Sequence, residues 1–158
     1  MFEKSIEIVP FEAKYHEDLR QLSFEWLEKY VFIEPEDLIF LDNPQRFIDE
    51  GGFIWMARFG EEIVGTISLL KNNETTYELN KFAVTEKFKG LKIGIKLMDV
   101  CMKKAKSLKA KKVILYSNHK LEAALKIYEK YGFKHVSTEG IRYEGADVKM
   151  ELMMNDER

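Results

Sequence analysis

Near residue 90 the spacing of apolar residues changes from strand-like to helical, and this change constrains the fold more than any other feature. Before it, runs rich in β-branched and aromatic residues at 53–59, 62–70 and 75–84 follow one another over short connections. Gly60 and Glu61 make the first connection a hairpin turn. After it, apolar residues at helical spacing predict a helix over 92–109: Ile93, Leu97, Cys101, Ala105 and Leu108. We therefore expect an antiparallel three-stranded meander that leads into one long helix.

The flanking segments extend this pattern into an α/β (α+β) domain. The other predicted elements, in chain order, are a strand over 5–11, an amphipathic helix over 13–30, an irregular or short-helical stretch over 31–50, a strand over 112–117, a helix over 120–131 and a final antiparallel pair over 133–138 and 146–153. Because the run at 112–117 is apolar without alternation, we expect that strand to lie inside the sheet. The sequence contains no internal repeat and no stretch with the composition of a linker. A single domain over 1–158 is therefore predicted.

Composition and charge exclude several classes of function. With 25 basic and 27 acidic residues the formal net charge is −2, whereas general nucleic-acid binders carry a basic excess. No apolar run approaches the roughly 20 residues of a membrane helix, and the first residues do not resemble a secretory signal. The single cysteine, Cys101, and three scattered histidines have no metal-site spacing. We expect a cytoplasmic protein that binds neither nucleic acid, membrane nor metal.

The connection over 84–97 has the features of an anion site. A strand, a turn containing Gly90 and the start of the long helix follow one another there. The first N–H groups of a helix have no partner within the helix, and its dipole adds partial positive charge. Both favour a phosphate. Taken alone the pattern is also typical of an ordinary strand-to-helix turn with solvated lysines.

A second motif, about twenty residues further on, indicates a more specific function for this loop. Asn118 follows the predicted inner strand, Tyr128 lies on the next helix, and Tyr131, Gly132 and Phe133 end that helix. Ligands of open α/β sheets bind beyond the carboxyl ends of the strands, so we expect Asn118 and the loop to face one crevice. Together the two motifs resemble the GNAT (Gcn5-related) N-acetyltransferases over nearly the whole chain. That resemblance implies a mixed, mostly antiparallel central sheet flanked by helices.

The resemblance also implies a site for acetyl-CoA. The family's pyrophosphate signature falls on Lys89, Gly90, Leu91, Lys92, Ile93 and Gly94, with Lys89 in place of arginine or glutamine and Lys92 in place of the first signature glycine. The strand backbone at Phe82, Ala83 and Val84 would pair with the pantetheine arm as an added strand. Asn118 would hydrogen-bond the arm from the opposite side.

Two residues are implied for the chemistry of acetyl transfer. Tyr128 matches the family's general acid, which protonates the departing sulfur, and its alternative role is an aromatic of the core. Glu78 has the spacing of the general base of histone-type members, and its alternative role is a solvent-facing strand residue. The backbone N–H of Phe82 is the expected oxyanion donor. A glutamate beside an apolar wall has a raised pKa and can draw a proton through water.

Three hypotheses follow for the function. The first is an N-acetyltransferase that moves an acetyl group from acetyl-CoA to a primary amine of a small molecule or protein. The second is a catalytically degenerate module that binds acyl-CoA as a sensor or interaction domain, and the third is an interaction domain without a cofactor. Glu34, Glu36 and Asp37 either attract a cationic amine or form a solvated loop. The sheet edge at the C-terminal pair can support a homodimer.

Overall fold

The fold was obtained as a computed structural model that describes residues 5–30, 33–88, 92–141 and 143–154. Within these residues the strands are β1 Ile6–Pro10, β2 Phe53–Phe59, β3 Glu62–Lys71, β4 Thr76–Val84, β5 Lys112–Ser117, β6 Lys134–Val136 and β7 Val148–Met153. The helices are α1 His16–Tyr30, α2 Pro35–Asp42, α3 Pro44–Asp49, α4 Ile93–Ser107 and α5 Glu122–Lys130. A short 3-10 turn, Ala13–Tyr15, precedes α1. The predicted elements and their order are confirmed, and the stretch over 31–50 contains two short helices.

The described strands form one seven-stranded sheet in the order β1-β2-β3-β4-β5-β7-β6. The meander β2-β3-β4 is antiparallel, and the pairs β5-β7 and β6-β7 are antiparallel too. The connection through α4 makes β5 run parallel to β4. The sheet is therefore mixed and mostly antiparallel, as the sequence predicted, and β5 lies inside it.

The parallel pair β4-β5 is short, and its end opens the sheet. Pairing covers only three residues of β4, from Thr76 to Glu78 opposite Lys112 to Ile114. Beyond Glu78 the two strands diverge, while β4 continues along β3 and β5 continues along β7. A wedge-shaped opening between β4 and β5 follows from this geometry.

A β-bulge lies in β4 just past the point of divergence. Asn80 pairs with Ser68 and Ala83 pairs with Thr66, so two residues of β4 face the single residue Ile67. The first of the two, Lys81, has φ +50°, in the left-handed region that glycine usually occupies. For an L-residue with a side chain this conformation costs roughly 1–2 kcal/mol. The sequence did not predict this bulge, because no glycine marks it.

The core lies on both faces of the sheet. On one face α4 packs against the meander through buried residues such as Leu97, Met98 and Cys101. The predicted role of Cys101 as a small core residue is confirmed, since it is fully buried. The approach of α4 depends on Gly65, where a Cβ atom would lie 3.0 Å from Leu97 Cδ1. On the other face α1 and α2 pack through residues such as Leu19, Phe40 and Leu41.

Candidate active site

Two cavities open along the divergent part of β4, and they share Trp26 and Phe82. The α4 cavity, about 380 Å³, is lined by β4 at Phe82–Val84, by the start of α4 at Lys92–Gly94 and by the facing side of α5. The α2 cavity, about 320 Å³, is lined by α2, by β4 over 78–82, by the end of β5 and by the loop before β7. The expectation of a single crevice is thus met in part: Asn118 lines the α2 cavity, whereas the described part of the anion loop lines the α4 cavity.

The backbone of β4 faces the α4 cavity with alternate peptide groups. Thr85 N donates to Val64 O at 2.9 Å, so Thr85 and Ala83 bond toward β3. By the alternation of an antiparallel ladder, the N–H and C=O groups of Val84 point away from β3. The carbonyl oxygen of Val84 accepts a hydrogen bond from Trp26 Nε1 at 3.0 Å. The strand edge predicted to pair with an extended ligand therefore carries one indole donor from α1.

The start of α4 faces the same cavity. Lys92 is the residue before the helix, with φ +56°, and Lys96 N donates to its carbonyl oxygen at 3.1 Å. Ile93 and Gly94 supply the first N–H groups of a 15-residue helix. Three residues of the predicted pyrophosphate signature, Lys89, Gly90 and Leu91, lie outside the described residues.

Gly94 leaves a space that a side chain would fill. A Cβ atom on Gly94 would lie 3.2 Å from Phe82 Cζ and 3.3 Å from Ile127 Cδ1. Both neighbours also line the α4 cavity. The absence of a side chain thus keeps the helix start close to β4 and α5, and the residues present fit an extended anionic ligand.

The α2 cavity contains the two predicted catalytic residues. Glu78 is 7% exposed, lies at the last position of the parallel pairing, and accepts a hydrogen bond from Asn80 Nδ2 at 2.8 Å. Its alternative role as a solvent-facing residue does not fit this burial. Tyr128 is 5% exposed and its ring packs between Phe82 and Phe133, with centroids 5.9 and 6.0 Å away.

Burial changes the acid–base behaviour of the groups near Tyr128. Removal from water raises the pKa of the Tyr128 phenol well above its usual range, so the phenol stays protonated through neutral pH. Burial also raises the pKa of the Cys101 thiol to about 12. The chain's single thiol is therefore neutral and buried, while the phenol is protonated and lines the α2 cavity.

The side-chain amide of Asn118, which is predicted to bind the pantetheine arm, already forms hydrogen bonds within the protein. Asn118 Nδ2 donates to Gly145 O at 2.9 Å, and Asn118 Oδ1 accepts from Lys120 N at 2.9 Å. The first of these bonds joins the end of β5 to the loop that precedes β7. The predicted contact of Asn118 with a pantetheine arm stays a prediction, and it requires a further or exchanged hydrogen bond.

Charge is distributed unequally in the α2 cavity. Among the described residues, four carboxylates line it, those of Glu34, Glu36, Asp37 and Glu78, and one ammonium, that of Lys81. Lys81 Nζ pairs with Asp37 Oδ1 at 2.6 Å, and each of these side chains is 13% exposed. The formal charge of these five side chains is −3, and such a set favours a cationic ligand.

Glu34 connects α2 to the opposite side of the α2 cavity. Its Oε1 accepts from Glu144 N at 3.0 Å, and its Oε2 accepts from Gly145 N at 2.9 Å. Sequence reasoning placed Glu34 in an acidic group but predicted neither this bridge nor the Lys81–Asp37 pair. The partners are 44 or more residues apart along the chain, and no local pattern marks such contacts.

The described residues contain neither a metal-binding cluster nor a membrane-spanning helix. Across 5–30, 33–88, 92–141 and 143–154, no group of three or more histidine, cysteine, aspartate or glutamate side chains is arranged to hold a metal ion. Over the same residues no helix has the length and apolar character required to cross a membrane.

Comparison with known proteins agrees with the geometry. The family model described as "Acetyltransferase (GNAT) family" matches residues 12–133. An acetyltransferase of the GNAT family from Staphylococcus aureus Mu50 is similar in structure, with a TM-score of 0.85, 23% identity and coverage of 96% of this chain and 100% of that one. An acetyltransferase from Streptococcus agalactiae gives a TM-score of 0.83, 24% identity and coverage of 95% and 99%.

A third similar structure was solved with a ligand. It is the PaiA N-acetyltransferase from Thermoplasma acidophilum in complex with coenzyme A, with a TM-score of 0.75, 20% identity and coverage of 95% of this chain and 99% of that one. A search of the curated proteins found no significant match. The family match covers most of the chain, including Glu78, Tyr128 and the start of α4. This chain belongs to the GNAT family of acetyltransferases.

Proposed function

We propose that the chain is an N-acetyltransferase that moves the acetyl group of acetyl-CoA directly to a primary amine of a small molecule or protein. The observation that carries this proposal is the pair of cavities joined at Phe82 and Trp26. One offers a strand edge and a helix start, and the other offers a buried carboxylate and a buried phenol. The donor belongs in the α4 cavity and the amine in the α2 cavity.

The donor side uses mainly backbone groups. The peptide groups of Phe82 and Val84 would bond the pantetheine arm, and the first N–H groups of α4 at Ile93 and Gly94 would bond the pyrophosphate. When bound, acetyl-CoA supplies an acetyl thioester whose carbonyl carbon is open to attack. The N–H group of Phe82 is the proposed oxyanion donor, and one preorganised donor is typically worth about 3 kcal/mol.

The acceptor side has to deprotonate the amine. At neutral pH an alkyl amine is an ammonium ion, with a pKa of about 10.4 for a lysine-like group. We assign the proton to Glu78, which accepts it directly or through one water molecule. The carboxylates of the α2 cavity attract the ammonium form before this proton transfer.

The departing sulfur receives its proton from Tyr128 in this mechanism, and the phenolate regains a proton from the newly acylated nitrogen, directly or through water. Burial keeps the Tyr128 phenol protonated, so its proton is available at the pH of the reaction. Direct transfer is supported by Cys101, the chain's only cysteine, because its buried thiol is protonated at neutral pH and is a poor nucleophile. The amine therefore attacks the thioester without an acyl-enzyme stage.

Release of free thiol from acetyl-CoA tests this proposal. We expect release to depend on an added primary amine in a panel of butylamine, putrescine, phenylethylamine and a short peptide with a free amino terminus. Dimethylbutylamine is the matched control, because it has a similar shape but no N–H to exchange for an acetyl group. Thiol release at the same rate with and without amine, or none with any amine, would contradict the proposal.

A second candidate function is the degenerate acyl-CoA-binding module. It is favoured by one observation, the side chain and left-handed backbone of Lys92 at a position where the family has glycine. Such a module binds acetyl-CoA, which raises the melting temperature, but releases no thiol with any amine. Binding and turnover measured on one preparation distinguish the two functions.

A further inference from the structure

Four side chains on the wall of the α2 cavity form one continuous hydrogen-bonded chain that ends at Glu78. Asn80 Nδ2 donates to Glu78 Oε2 at 2.8 Å, and Lys81 Nζ donates to Asn80 Oδ1 at 3.2 Å. The same ammonium pairs with Asp37 Oδ1 at 2.6 Å. All four residues line the cavity. The carboxylate proposed as the base is thus connected through β4 to α2.

The amide of Asn80 satisfies both neighbours in only one orientation. An ammonium group is only a donor, so its partner on Asn80 must be the carbonyl oxygen. An ionised carboxylate is only an acceptor, so Glu78 must face the amide NH₂ group. The flipped amide would set donors against Lys81 and an oxygen against Glu78. Lys81 therefore determines which end of the Asn80 amide meets the base.

Lys81 is itself fixed by its surroundings. Its ammonium lies 5.3 Å from the centre of the Phe40 ring, in addition to the pair with Asp37. The second oxygen of Asp37 accepts from Glu34 N at 2.9 Å, which ties the aspartate to the start of α2. A long side chain held at both an anion and an aromatic face has little freedom to rotate.

The β-bulge at Lys81 brings the side chains of this hydrogen-bonded series to the same side of β4. In a regular strand, consecutive side chains point to opposite faces, so Asn80 and Lys81 would not share a wall. With φ +50° at Lys81, both side chains reach the α2 cavity and contact each other. A strained backbone at a catalytic wall is the kind of feature that surrounding contacts must hold in place.

We propose that Asn80 is a positioning residue for Glu78, and that Lys81, anchored by Asp37, sets the orientation of Asn80. This inference rests on the proposed function, in which Glu78 accepts the proton of the amine. Donation from Asn80 to Oε2 restricts rotation of the Glu78 carboxylate, and a carboxylate has several lone pairs that can accept further donors.

A double-mutant cycle of Asn80→Ala and Glu78→Gln tests the proposal, with thiol release measured for the panel amine that reacts fastest. We expect Asn80→Ala to lower kcat by roughly tenfold to a hundredfold, since a misplacement of about 1 Å costs as much as a hundredfold. The KM of the amine should change little. In the Glu78→Gln background the same substitution should cost less than about twofold, because residues that act as a unit are not additive.

Variants of Lys81 test its orienting role, and a variant of Asn72 serves as the control. Lys81→Met should lower kcat about as much as Asn80→Ala, and Lys81→Arg should restore most of it, because a guanidinium is also only a donor. Asn72→Ala is the matched control, an exposed asparagine in the β3–β4 turn, and should match the wild type. A melting-temperature shift with acetyl-CoA in every variant shows that the fold and the donor site are intact.

The outcomes separate this proposal from the proposed function. An Asn80→Ala loss that persists undiminished in the Glu78→Gln background overturns the positioning role and leaves the base in place. Wild-type kcat in Lys81→Met overturns the orienting role of the ammonium. Wild-type kcat in Glu78→Gln removes the base and this proposal with it, whereas absence of thiol release from the wild type contradicts the proposed function itself.

Discussion

The α4 cavity and the α2 cavity are built from different parts of the polypeptide. The α4 cavity presents backbone groups of β4 and of the start of α4, and its key residue, Gly94, contributes by having no side chain. The α2 cavity presents side chains, among them four carboxylates and an ion pair. Backbone recognition suits a ligand common to a whole family, whereas side-chain recognition can change with every substrate.

This difference predicts which substitutions affect which kinetic constant. Changes in the α2 cavity, apart from Asn118 with its predicted contact to the pantetheine arm, should alter kcat and the KM of the amine. Changes in the α4 cavity should alter the affinity for acetyl-CoA. Trp26 and Phe82 line both cavities, so substitutions there should change the KM values of both substrates.

The largest effect is expected for Glu78→Gln. General base catalysis typically contributes a factor of about 10²–10⁴, so kcat/KM at neutral pH should fall within that range. Because more of the amine is already deprotonated as the pH rises toward its pKa, the loss should shrink at high pH. A pH profile of kcat/KM for both proteins measures this.

The acetyl-CoA melting-temperature shift is the control for Glu78→Gln and should be unchanged. A loss of activity that stays constant across the pH range would instead indicate a packing or binding role. It would also break the division between the cavities, because the buried carboxylate would no longer act on the chemical step.

Tyr128→Phe should lower kcat by roughly tenfold to a thousandfold while the affinity for acetyl-CoA changes little. The substitution keeps the ring between Phe82 and Phe133 and removes only the hydroxyl group. Since burial raises the pKa of the phenol above the usual 10.0, the wild-type acid should stay protonated to pH 10 and beyond. The alkaline limb of kcat should therefore not fall at the pH typical of a free tyrosine. Unchanged turnover in the variant would exclude Tyr128 from the mechanism.

Gly94→Val should act on the other cavity. Its branched side chain would collide with Phe82 and Ile127, and overpacking of this kind typically costs about 1–3 kcal/mol. Acetyl-CoA at 100 times its Kd stabilises a folded protein by about 2.7 kcal/mol, and each kcal/mol shifts Tm by roughly 2–4 °C for a chain of this size. We expect a shift of several degrees in the wild type and almost none in the variant.

Ligand controls sharpen the Gly94 test. Coenzyme A should shift Tm nearly as much as acetyl-CoA, because both carry the diphosphate and the pantetheine arm. Adenosine should shift it far less, since it brings no anion to the start of α4. Equal shifts with acetyl-CoA and adenosine would contradict a pyrophosphate site at this helix. The Tm shift of Gly94→Ala with acetyl-CoA should lie between those of the wild type and of Gly94→Val, because alanine adds only one carbon atom.

The same contrast explains how much the sequence predicted. The spacing of apolar residues and the turn residues are local signals, so the meander, α4 and the inner position of β5 followed from the sequence. Glu78 and Tyr128 followed from the resemblance to the GNAT family, and the structure brings both to one cavity. The donor half of the site was accessible because a strand, a glycine-containing loop and a helix are contiguous in the chain.

The contacts that build the rest of the acceptor half, beyond Glu78 and Tyr128, were inaccessible for physical reasons. Its wall depends on a left-handed backbone at a lysine, a conformation for which lysine has no intrinsic preference. Its contacts join residues far apart in the chain, as with Lys81 and Asp37, or Glu34 and Gly145. Gly145 also lies beyond residues 12–133, which the family model matches. Neither the spacing of apolar residues nor a sequence motif indicated its contact with Glu34.

The smallest effect is expected for Trp26→Phe, which tests the shared boundary of the two cavities. The variant keeps an aromatic ring and loses the donor to Val84 O. The net worth of one hydrogen bond, about 0.5–1.5 kcal/mol, corresponds to a change of roughly twofold to tenfold. Because Trp26 lines both cavities, the KM values of acetyl-CoA and of the amine should both rise within that range while kcat changes less. Steady-state kinetics with each substrate varied in turn measure this, and a rise confined to one substrate would show that Trp26 belongs to that substrate's cavity alone.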